Sequence, residues 1–394
     1  MKAKRPTKAQ RLSSTTINTL PQTIIENILC LLPIEEAART SILSREWRYK
    51  WTTIPKLKFY WSTVYNRTAK ENQPSYITSA RNKMEQRRKL FNAIHQVLLM
   101  RQGPIHEFIF HSNKSCHFYE LDQIIFHLSR NHTVKKLTLA FNYMGSYKLP
   151  LCAFSLHQLT DLDLRNVVID HQPIFSGFGS LRSLCLYVKI STKALLHLLS
   201  NCPSLKRFSL RGDIGSKDCT IIELFECLPV IEHLTIWENC AHPWLVLDSI
   251  PEELPTTLIH LKCFRFNGIC FVDGHGLTFL DVLIKASPNL EKIELDMDDC
   301  IFDDNEICYG ILEEYSDVRL EHLKEFEIMC FRNLKHEMEF VKFILARSPK
   351  LKKVILYSFV EKDEESDILT ILSQAPRAAP EEILVRCIPN WWSC

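Results

Sequence analysis

Residues 159–164 read LTDLDL, in which apolar side chains occupy the first, fourth and sixth positions. The same spacing recurs at ten starts between Ile105 and Leu351, at an average interval of about 27 residues. A short pattern that returns at a fixed period indicates that most of a chain consists of one repeated structural unit. The ten triplets are Ile105-Phe108-Phe110, Val134-Leu137-Leu139, Leu159-Leu162-Leu164, Leu181-Leu184-Leu186, Leu205-Phe208-Leu210, Ile231-Leu234-Ile236, Leu258-Leu261-Cys263, Leu290-Ile293-Leu295, Leu323-Phe326-Ile328 and Leu351-Val354-Leu356.

A proline lies two residues before four of these triplets, at Pro203, Pro229, Pro288 and Pro349. Each proline follows a stretch with helical character, and proline cannot continue a helix. The four stretches are residues 192–202, 219–228, 277–287 and 338–348. The unit is therefore predicted as helix, proline stop, strand and turn, and its period falls within the range of about 20–29 residues of leucine-rich repeats. We predict an α/β fold: a leucine-rich-repeat solenoid, with a curved parallel sheet and helices on its convex side.

Side chains between the apolar anchors of each strand should point away from the core, because side chains alternate along a strand. One such position recurs in five repeats, and stacking at about 4.8 Å per strand would make a stripe roughly 20 Å long. Tyr, Trp and Arg dominate interface hot spots, so this stripe is the predicted target-binding surface. The alternative interpretation is an ordinary sheet surface. The five residues are Arg165, Tyr187, Arg211, Trp237 and Phe264.

Residues 17–60 predict a small helical unit ahead of the repeats. A first helix carries apolar residues on one face and ends at Pro33, and a second spans residues 34–41. A third helix is predicted to carry Leu43, Trp47, Arg48 and Trp51. Three helices in so short a segment cannot bury much surface alone. We therefore expect the unit to be completed by a partner or by the domain that follows.

These residues resemble an F-box in order and spacing. The resemblance is carried by Leu20-Pro21, Ile24, Ile28, Leu29, Leu32-Pro33, Ala37-Ala38, Ser41, Leu43-Ser44-Arg45, Trp47-Arg48 and Trp51. It implies that the unit docks a Skp-type adaptor protein and, through the adaptor, a cullin. On this resemblance the adaptor-binding residues are Leu20, Pro21, Ile24, Ile28, Leu29, Leu32, Pro33, Leu43, Arg45 and Trp47.

Residues 318–357 resemble the FBD segment that follows the repeats in many plant F-box proteins. The resemblance is carried by LKEFEI at 323–328, Phe331, EFVKFIL at 339–345 and SPKLKKV at 348–354. The two resemblances together point to the plant F-box/FBD/leucine-rich-repeat protein family. The predicted domains are a disordered basic tail at 1–16, the F-box at 17–60, a linker with one helix at 61–103, the repeats at 104–317, and FBD-like repeats with a cap at 318–394.

Composition argues against several other functions. The 48 basic and 46 acidic side chains leave no basic excess for binding nucleic acid or a membrane surface. Neither a glycine-rich phosphate loop nor a Cys-x-x-Cys zinc pair occurs in the sequence. The 15 cysteines are scattered and no secretory signal is apparent, which predicts reduced thiols in a cytoplasmic or nuclear protein. We expect no catalytic residue, metal or cofactor.

The resemblance implies the substrate-recognition subunit of a Skp–cullin–F-box ubiquitin ligase, a non-catalytic component whose target protein is unknown. Two alternatives keep the same architecture. In one, a hormone or metabolite completes the target site, so that the chain is a small-molecule co-receptor. In the other, the chain is an interaction scaffold that does not lead to degradation.

Overall fold

The computed structural model describes residues 17, 20–61, 80–113, 119–131, 133–142, 147–170, 177–215, 220–237, 254, 257–269, 275–297, 319–358, 362–379 and 382–387. The predicted tail at 1–16 lies outside these ranges, as does part of the predicted linker, residues 62–79. The chain divides into two units, Met1–His111 and Ser112–Cys394.

The first unit contains helices α1 and α2, two short 3-10 helices, strand β1, the long helix α3 and strand β2. Pro21 and Pro33 lie immediately before α1 and α2, where the missing proline N–H leaves no helical hydrogen bond unmade. In chain order the elements are α1 Gln22–Cys30, α2 Ile34–Arg39, 3-10 helices Thr40–Ile42 and Lys50–Thr53, β1 Lys56–Tyr60, α3 Ala80–Met100 and β2 Glu107–Ser112.

The predicted third helix of the F-box is wrong in detail, because 3-10 helices and turns replace a continuous α-helix between residues 40 and 53. Local side-chain hydrogen bonds explain the difference. Ser44 Oγ accepts from the Trp47 N–H at 3.3 Å, and Thr52 Oγ1 donates to the Tyr49 carbonyl at 2.7 Å. Such bonds satisfy backbone groups outside a helix and compete with helix formation.

Arg101 fixes the end of α3 to the segment that leads into β1. Its guanidinium donates to the carbonyls of Ile54, Gly103 and Pro104, the last at 2.8 Å. Burial lowers the pKa of Arg101 to about 10, so the side chain stays charged at neutral pH. β1 and β2 pair in parallel beside it, with Leu57 opposite Phe108 and Phe59 opposite Phe110.

The second unit alternates strands with helices through its whole described length. Its elements are α4 Tyr119–Asn131, β3 Lys136–Phe141, β4 Tyr147–Lys148, 3-10 helix Leu151–Ser155, β5 Asp161–Ile169, β6 Ser183–Ser191, α5 Thr192–Ser200, β7 Arg207–Gly215, α6 Ile221–Glu226, β8 His233–Trp237, β9 Cys263–Ile269, α7 His275–Ala286, β10 Lys292–Met297, β11 Glu325–Phe331, α8 Lys335–Arg347, β12 Lys353–Ser358, α9 Lys362–Ser373 and β13 Glu382–Cys387.

The strands of this unit run in the order β3-β5-β6-β7-β8-β9-β10-β11-β12-β13, and β4 pairs with β5. Every described pair is parallel, which requires a crossover between successive strands. The registers place the central apolar anchors side by side in one buried column: Leu137, Leu162, Leu184, Phe208, Leu234, Phe264, Ile293, Phe326 and Val354. The predicted α/β fold with a parallel repeat sheet is confirmed.

The proline stops are also confirmed. Helices α5, α6, α7 and α8 end shortly before Pro203, Pro229, Pro288 and Pro349. Their starts are set by ordinary caps in two cases. Ser191 Oγ accepts from the Ala194 N–H at 3.3 Å, and Thr220 forms a capping box with Glu223.

The repeat that forms β9 is displaced by three residues from its prediction. The predicted anchors are Leu258, Leu261 and Cys263, but Leu261, Phe264 and Phe266 form the buried triplet. Leu258 and Leu261 lie three residues apart, so either can begin the pattern, and cysteine is apolar enough to serve as a third anchor. Phe264 and Phe266 are both fully buried in the core, so the triplet of this repeat begins at Leu261 and not at Leu258.

The described strands have left-handed backbone at Asn166, Gly212, Gly268 and Cys330, and contacts at Asn166 and Gly212 show why it is needed there. Asn166 has φ 59° at a bulge in β5, and its Nδ2 donates to the Phe141 carbonyl at 2.5 Å. Gly212 in β7 has φ 129°, and a Cβ added there would lie 2.0 Å from the Val188 carbonyl oxygen. Strands β6 and β7 therefore approach so closely at this point that no side chain fits.

A buried carboxylate holds the turn between β11 and α8. Glu337 is 0% exposed and accepts from the backbone N–H of Arg332 at 2.8 Å and of Leu334 at 3.3 Å. Burial raises the pKa of Glu337. Asn333 in this turn has φ 60°, and Cys330 near the end of β11 has φ 56°.

Seven cysteines of the described residues are free thiols: Cys30, Cys152, Cys185, Cys202, Cys227, Cys263 and Cys387. The prediction that all cysteines are reduced is wrong for Cys330, which is disulfide-bonded.

Candidate functional site

Helix α1 has apolar side chains on two sides. Ile25 and Leu29 face inward and are buried, where α1 packs on α2 and on the 3-10 helix Lys50–Thr53. Ile24 and Ile28 lie on the outer side and remain 42% and 36% exposed. A helix whose outer side is also apolar is typical of one that a partner covers.

More apolar surface lies beside α1 in the same unit. Leu31, Ile42, Leu43 and Tyr49 are 80%, 85%, 67% and 53% exposed. We name the exposed apolar set Ile24, Ile28, Leu31, Leu32, Ile42, Leu43 and Tyr49 the F-box apolar surface. Leu31, Ile42 and Tyr49 were absent from the sequence-based site, since they fall between the residues that carry the motif.

The other predicted adaptor-binding residues have mixed positions. Pro21 and Arg45 are exposed, and Leu20 and Pro33 are half-buried. Leu29 and Trp47 are only 1% and 4% exposed, which corrects the expectation that they contact an adaptor. Leu29 lies one helical turn after Ile25 on the inner side of α1, so it supports the surface from beneath.

A hydrogen-bonded cluster holds α1 against the 3-10 helix. Lys50 Nζ donates to Gln22 Oε1 at 2.6 Å, and Gln22 Nε2 donates to Glu26 Oε1 at 3.0 Å. Thr53 Oγ1 donates to the same Glu26 oxygen at 2.6 Å. These bonds hold α1 on the 3-10 helix through Gln22 and Glu26 before any partner arrives, which reduces the entropy that binding would cost.

In the second unit, the side chains that alternate with the buried anchors form the open face of the sheet. Registers place Arg165 beside Tyr187, and Tyr187 beside Arg211. Arg211 Cζ lies 4.6 Å from the Tyr187 ring centroid and 3.9 Å from that of Trp237. Four of the five predicted stripe residues therefore share one row across β5 to β8.

Phe264 does not belong to this row, which corrects the prediction. It is 0% exposed and lies in the core column, opposite Leu234. The residue that follows Trp237 in the row is Asn267, whose side chain is buried. If the anchors of this repeat are read as Leu261, Phe264 and Phe266, the strand period places Asn267, and not Phe264, in the row.

Ion pairs cover much of the open face on β5 to β7. Arg165 Nη2 lies 2.8 Å from Asp163 Oδ2, and its Nε donates to Asp163 Oδ1 at 3.0 Å. Arg207 lies 3.7 Å from Asp161. Lys189 pairs with Asp213 at 3.2 Å on the same strands. These pairs are largely exposed, so each contributes little to stability.

The open face on β9 to β11 is more acidic. Lys292 Nζ lies 2.7 Å from Glu327 Oε1, 2.8 Å from Glu294 Oε1 and 3.4 Å from Glu325 Oε2. Burial acts to lower the pKa of Lys292, but the hydrogen-bonded carboxylates outweigh burial and hold the pKa above its ordinary value. The lysine therefore stays charged and holds the three acidic side chains together.

Cys185 and Cys263 lie on the open face, and burial raises the pKa of each thiol to about 11. Within the ranges that the structure describes, no cluster of three His, Cys, Asp or Glu is placed to hold a metal ion. The same ranges contain no helix with the length and hydropathy needed to cross a bilayer.

Comparison with known proteins agrees with this arrangement. The F-box domain family matches residues 17–59 and the FBD family matches residues 319–356. The F-box/FBD/LRR-repeat protein At1g13570 of Arabidopsis thaliana is 29% identical, over 94% of this chain and 97% of its own length. The Arabidopsis FBD-associated F-box protein At5g38590 is 25% identical, over 86% of this chain and 93% of its own.

An amino-terminal F-box followed by a parallel repeat sheet defines an F-box protein with leucine-rich repeats. The chain belongs to the plant F-box/FBD/leucine-rich-repeat protein family. Proteins of this kind are in general non-catalytic subunits of Skp–cullin–F-box ubiquitin ligases, and an F-box implies binding to a Skp adaptor.

Proposed function

We propose that this chain is the target-receptor subunit of a Skp–cullin–F-box ubiquitin ligase. The F-box apolar surface binds the Skp-type adaptor, which links the chain to a cullin, and the open face of the repeat sheet binds the target protein for ubiquitination. The observation that carries the proposal is the apolar surface on a rigid helical unit. Seven large apolar side chains are exposed within residues 24–49.

The physics of adaptor binding is helix-in-groove docking. The exposed sides of Ile24, Ile28 and Leu32 lie along and just beyond α1, so an apolar groove can cover them together. The hydrogen bonds of Gln22, Glu26 and Lys50 keep that helix in place. Binding then removes apolar area from water without first ordering the helix.

A receptor of this kind accelerates ubiquitin transfer by position. It holds the target close to the charged ubiquitin-conjugating enzyme and so raises the effective concentration of the reacting groups.

The test is affinity capture of the full-length protein expressed in plant cells, followed by mass spectrometry. The wild type should retain a Skp-type adaptor and cullin. A Leu20→Ala, Pro21→Ala double variant and an Ile24→Glu, Ile28→Glu double variant should lose both partners, because a charge placed in an apolar interface is costly.

Ile259→Glu is the matched control. Ile259 is an isoleucine of similar exposure, 49%, in the repeat unit. This variant should retain the adaptor in full. Equal adaptor recovery from the wild type and the Ile24→Glu, Ile28→Glu variant, or none from either, would refute the proposed function.

A further inference from the structure

The open face contains a cation whose surroundings differ from those of its neighbours. Arg165, Lys189 and Arg207 each have a carboxylate within ion-pair distance. Among the described residues, the Arg211 guanidinium has neither an ion pair nor a hydrogen bond, and its Nε is buried without an acceptor. It is the cation of β5–β8 that no described carboxylate neutralises.

Two aromatic rings hold this guanidinium in place. Tyr187 lies on one neighbouring strand and Trp237 on the other, with ring centroids 4.6 and 3.9 Å from Arg211 Cζ. Both distances are within the range of a cation–π contact. The rings flank the guanidinium from the two neighbouring strands and its Nε is buried, so a further ligand has to approach its Nη groups.

The N–H edge of a guanidinium matches a carboxylate, which can accept two parallel hydrogen bonds from it. Confinement between rings lowers the conformational entropy that Arg211 would otherwise lose on binding. The two rings also offer apolar contact beside the charge. The geometry therefore fits an acidic side chain with apolar groups next to it.

Polar side chains of the adjacent row extend the site along the sheet. Registers place Cys185, Ser209 and Thr235 side by side, next to the row of Arg211. A chain lying across the strands would meet a hydrogen-bonding hydroxyl on each of β7 and β8. A polypeptide segment uses such a row, whereas a small carboxylate would occupy the Arg211 position alone.

We propose that Arg211, held between Tyr187 and Trp237, recognises an Asp or Glu side chain flanked by apolar residues in an extended segment of the target protein. This inference deepens the proposed function and rests on it, since it names the chemistry of the target that the open face selects. Arg165 lies beside the site but is already paired with Asp163, so it does not replace Arg211.

The test is selection of a phage-displayed random peptide library on the purified full-length chain. Wild type, Arg211→Gln, Arg211→Lys and Arg386→Gln are compared. Arg386 is the matched control, because it too lies over one tyrosine of the sheet, with Cζ 5.8 Å from the Tyr357 ring centroid. Wild type and Arg386→Gln should enrich peptides with an acidic residue between apolar ones, and both Arg211 variants should not.

One enriched peptide is then measured by fluorescence anisotropy, beside its Glu→Gln or Asp→Asn counterpart. Wild type should bind the acidic form at least about tenfold more tightly, and Arg211→Gln should bind the two forms alike. Arg211→Lys should not restore the preference, because lysine lacks the planar fork. Should Arg211→Gln fail to fold, the Arg211→Lys result decides.

Several results would overturn the inference. These are no enrichment above bare matrix, equal acidic enrichment on the Arg211 variants, or enrichment of basic peptides, which would place binding on the acidic part of the face instead. Benzoate that displaces the peptide at the peptide's own concentration would show a small-molecule site. Adaptor capture is measured separately. If the wild type retains no Skp-type adaptor, the proposed function is refuted, whereas the peptide results decide only whether Arg211 recognises an acidic side chain.

Discussion

Truncation of Ile24 and Ile28 tests how the F-box apolar surface binds. Fully burying an isoleucine side chain contributes about 1.5–3 kcal/mol. Since these two are only 42% and 36% exposed, a partner can gain about 1.2–2.3 kcal/mol from the pair. The Ile24→Ala, Ile28→Ala variant should therefore bind a purified Skp-type adaptor about seven- to fiftyfold more weakly.

Leu31 and Leu43 are the pair with which Ile24 and Ile28 are compared. They are 80% and 67% exposed, so complete coverage by the adaptor would contribute about 2.2–4.4 kcal/mol for the pair. The Leu31→Ala, Leu43→Ala variant should lose between about 40-fold and about 1,700-fold in affinity. Titration calorimetry gives both dissociation constants under one condition.

Folding has to be measured beside binding. Alanine is a better helix former than isoleucine, but more than half of each isoleucine side chain packs on the unit itself, so the melting temperature should fall. Binding is therefore compared at a temperature where circular dichroism shows both variants folded. The reasoning fails if the Ile24→Ala, Ile28→Ala variant loses more than about a hundredfold while Leu31→Ala, Leu43→Ala binds normally. Exposed area would then not determine the contribution of each residue.

Three further predictions concern the repeat unit. Glu337→Ala leaves two part-buried N–H groups without their acceptor, so urea unfolding should show a loss of about 1–3 kcal/mol, and an unchanged midpoint would contradict the role given to this carboxylate. Gly212→Ala should destabilise by at least about 1–3 kcal/mol through its φ and the clash with Val188, while Gly215→Ala, with nothing within 4 Å, should stay within about 0.5 kcal/mol. Burial raises the pKa of Cys202 to about 12, and only the thiolate reacts, so iodoacetamide at pH 8 should label Cys202 on unfolding and not in the native protein, as read by mass spectrometry.

Much of the repeat architecture could be predicted because two independent signals coincide in the sequence. The apolar triplets define the strands, and prolines at 203, 229, 288 and 349 define where helices end. Prediction failed where one signal stood alone. The β9 repeat has no proline two residues before either candidate start, and there the register was placed three residues too early.

The candidate sites were harder to predict, since motif membership does not distinguish inner from outer residues. Leu29 and Trp47 belong to the F-box pattern, yet they are buried, whereas Leu31 and Ile42 lie between its positions and are exposed. The row of Arg165, Tyr187 and Arg211 followed from strand period alone. That Arg211 lies between two rings depends on rotamers, which the sequence does not specify.

The one-strand-per-repeat order of the sheet has a consequence for how this protein family can change. Apart from β4, which pairs with β5 as β3 does, each described strand of this unit pairs only with the strands that precede and follow it, so stability is close to a sum of local terms. Gain of a single repeat would add one side chain to every row, lengthening the row by about 4.8 Å, and leave the existing pairings intact. A preference for a new target protein can therefore arise by duplication of a short stretch of the gene, without changes in the other repeats.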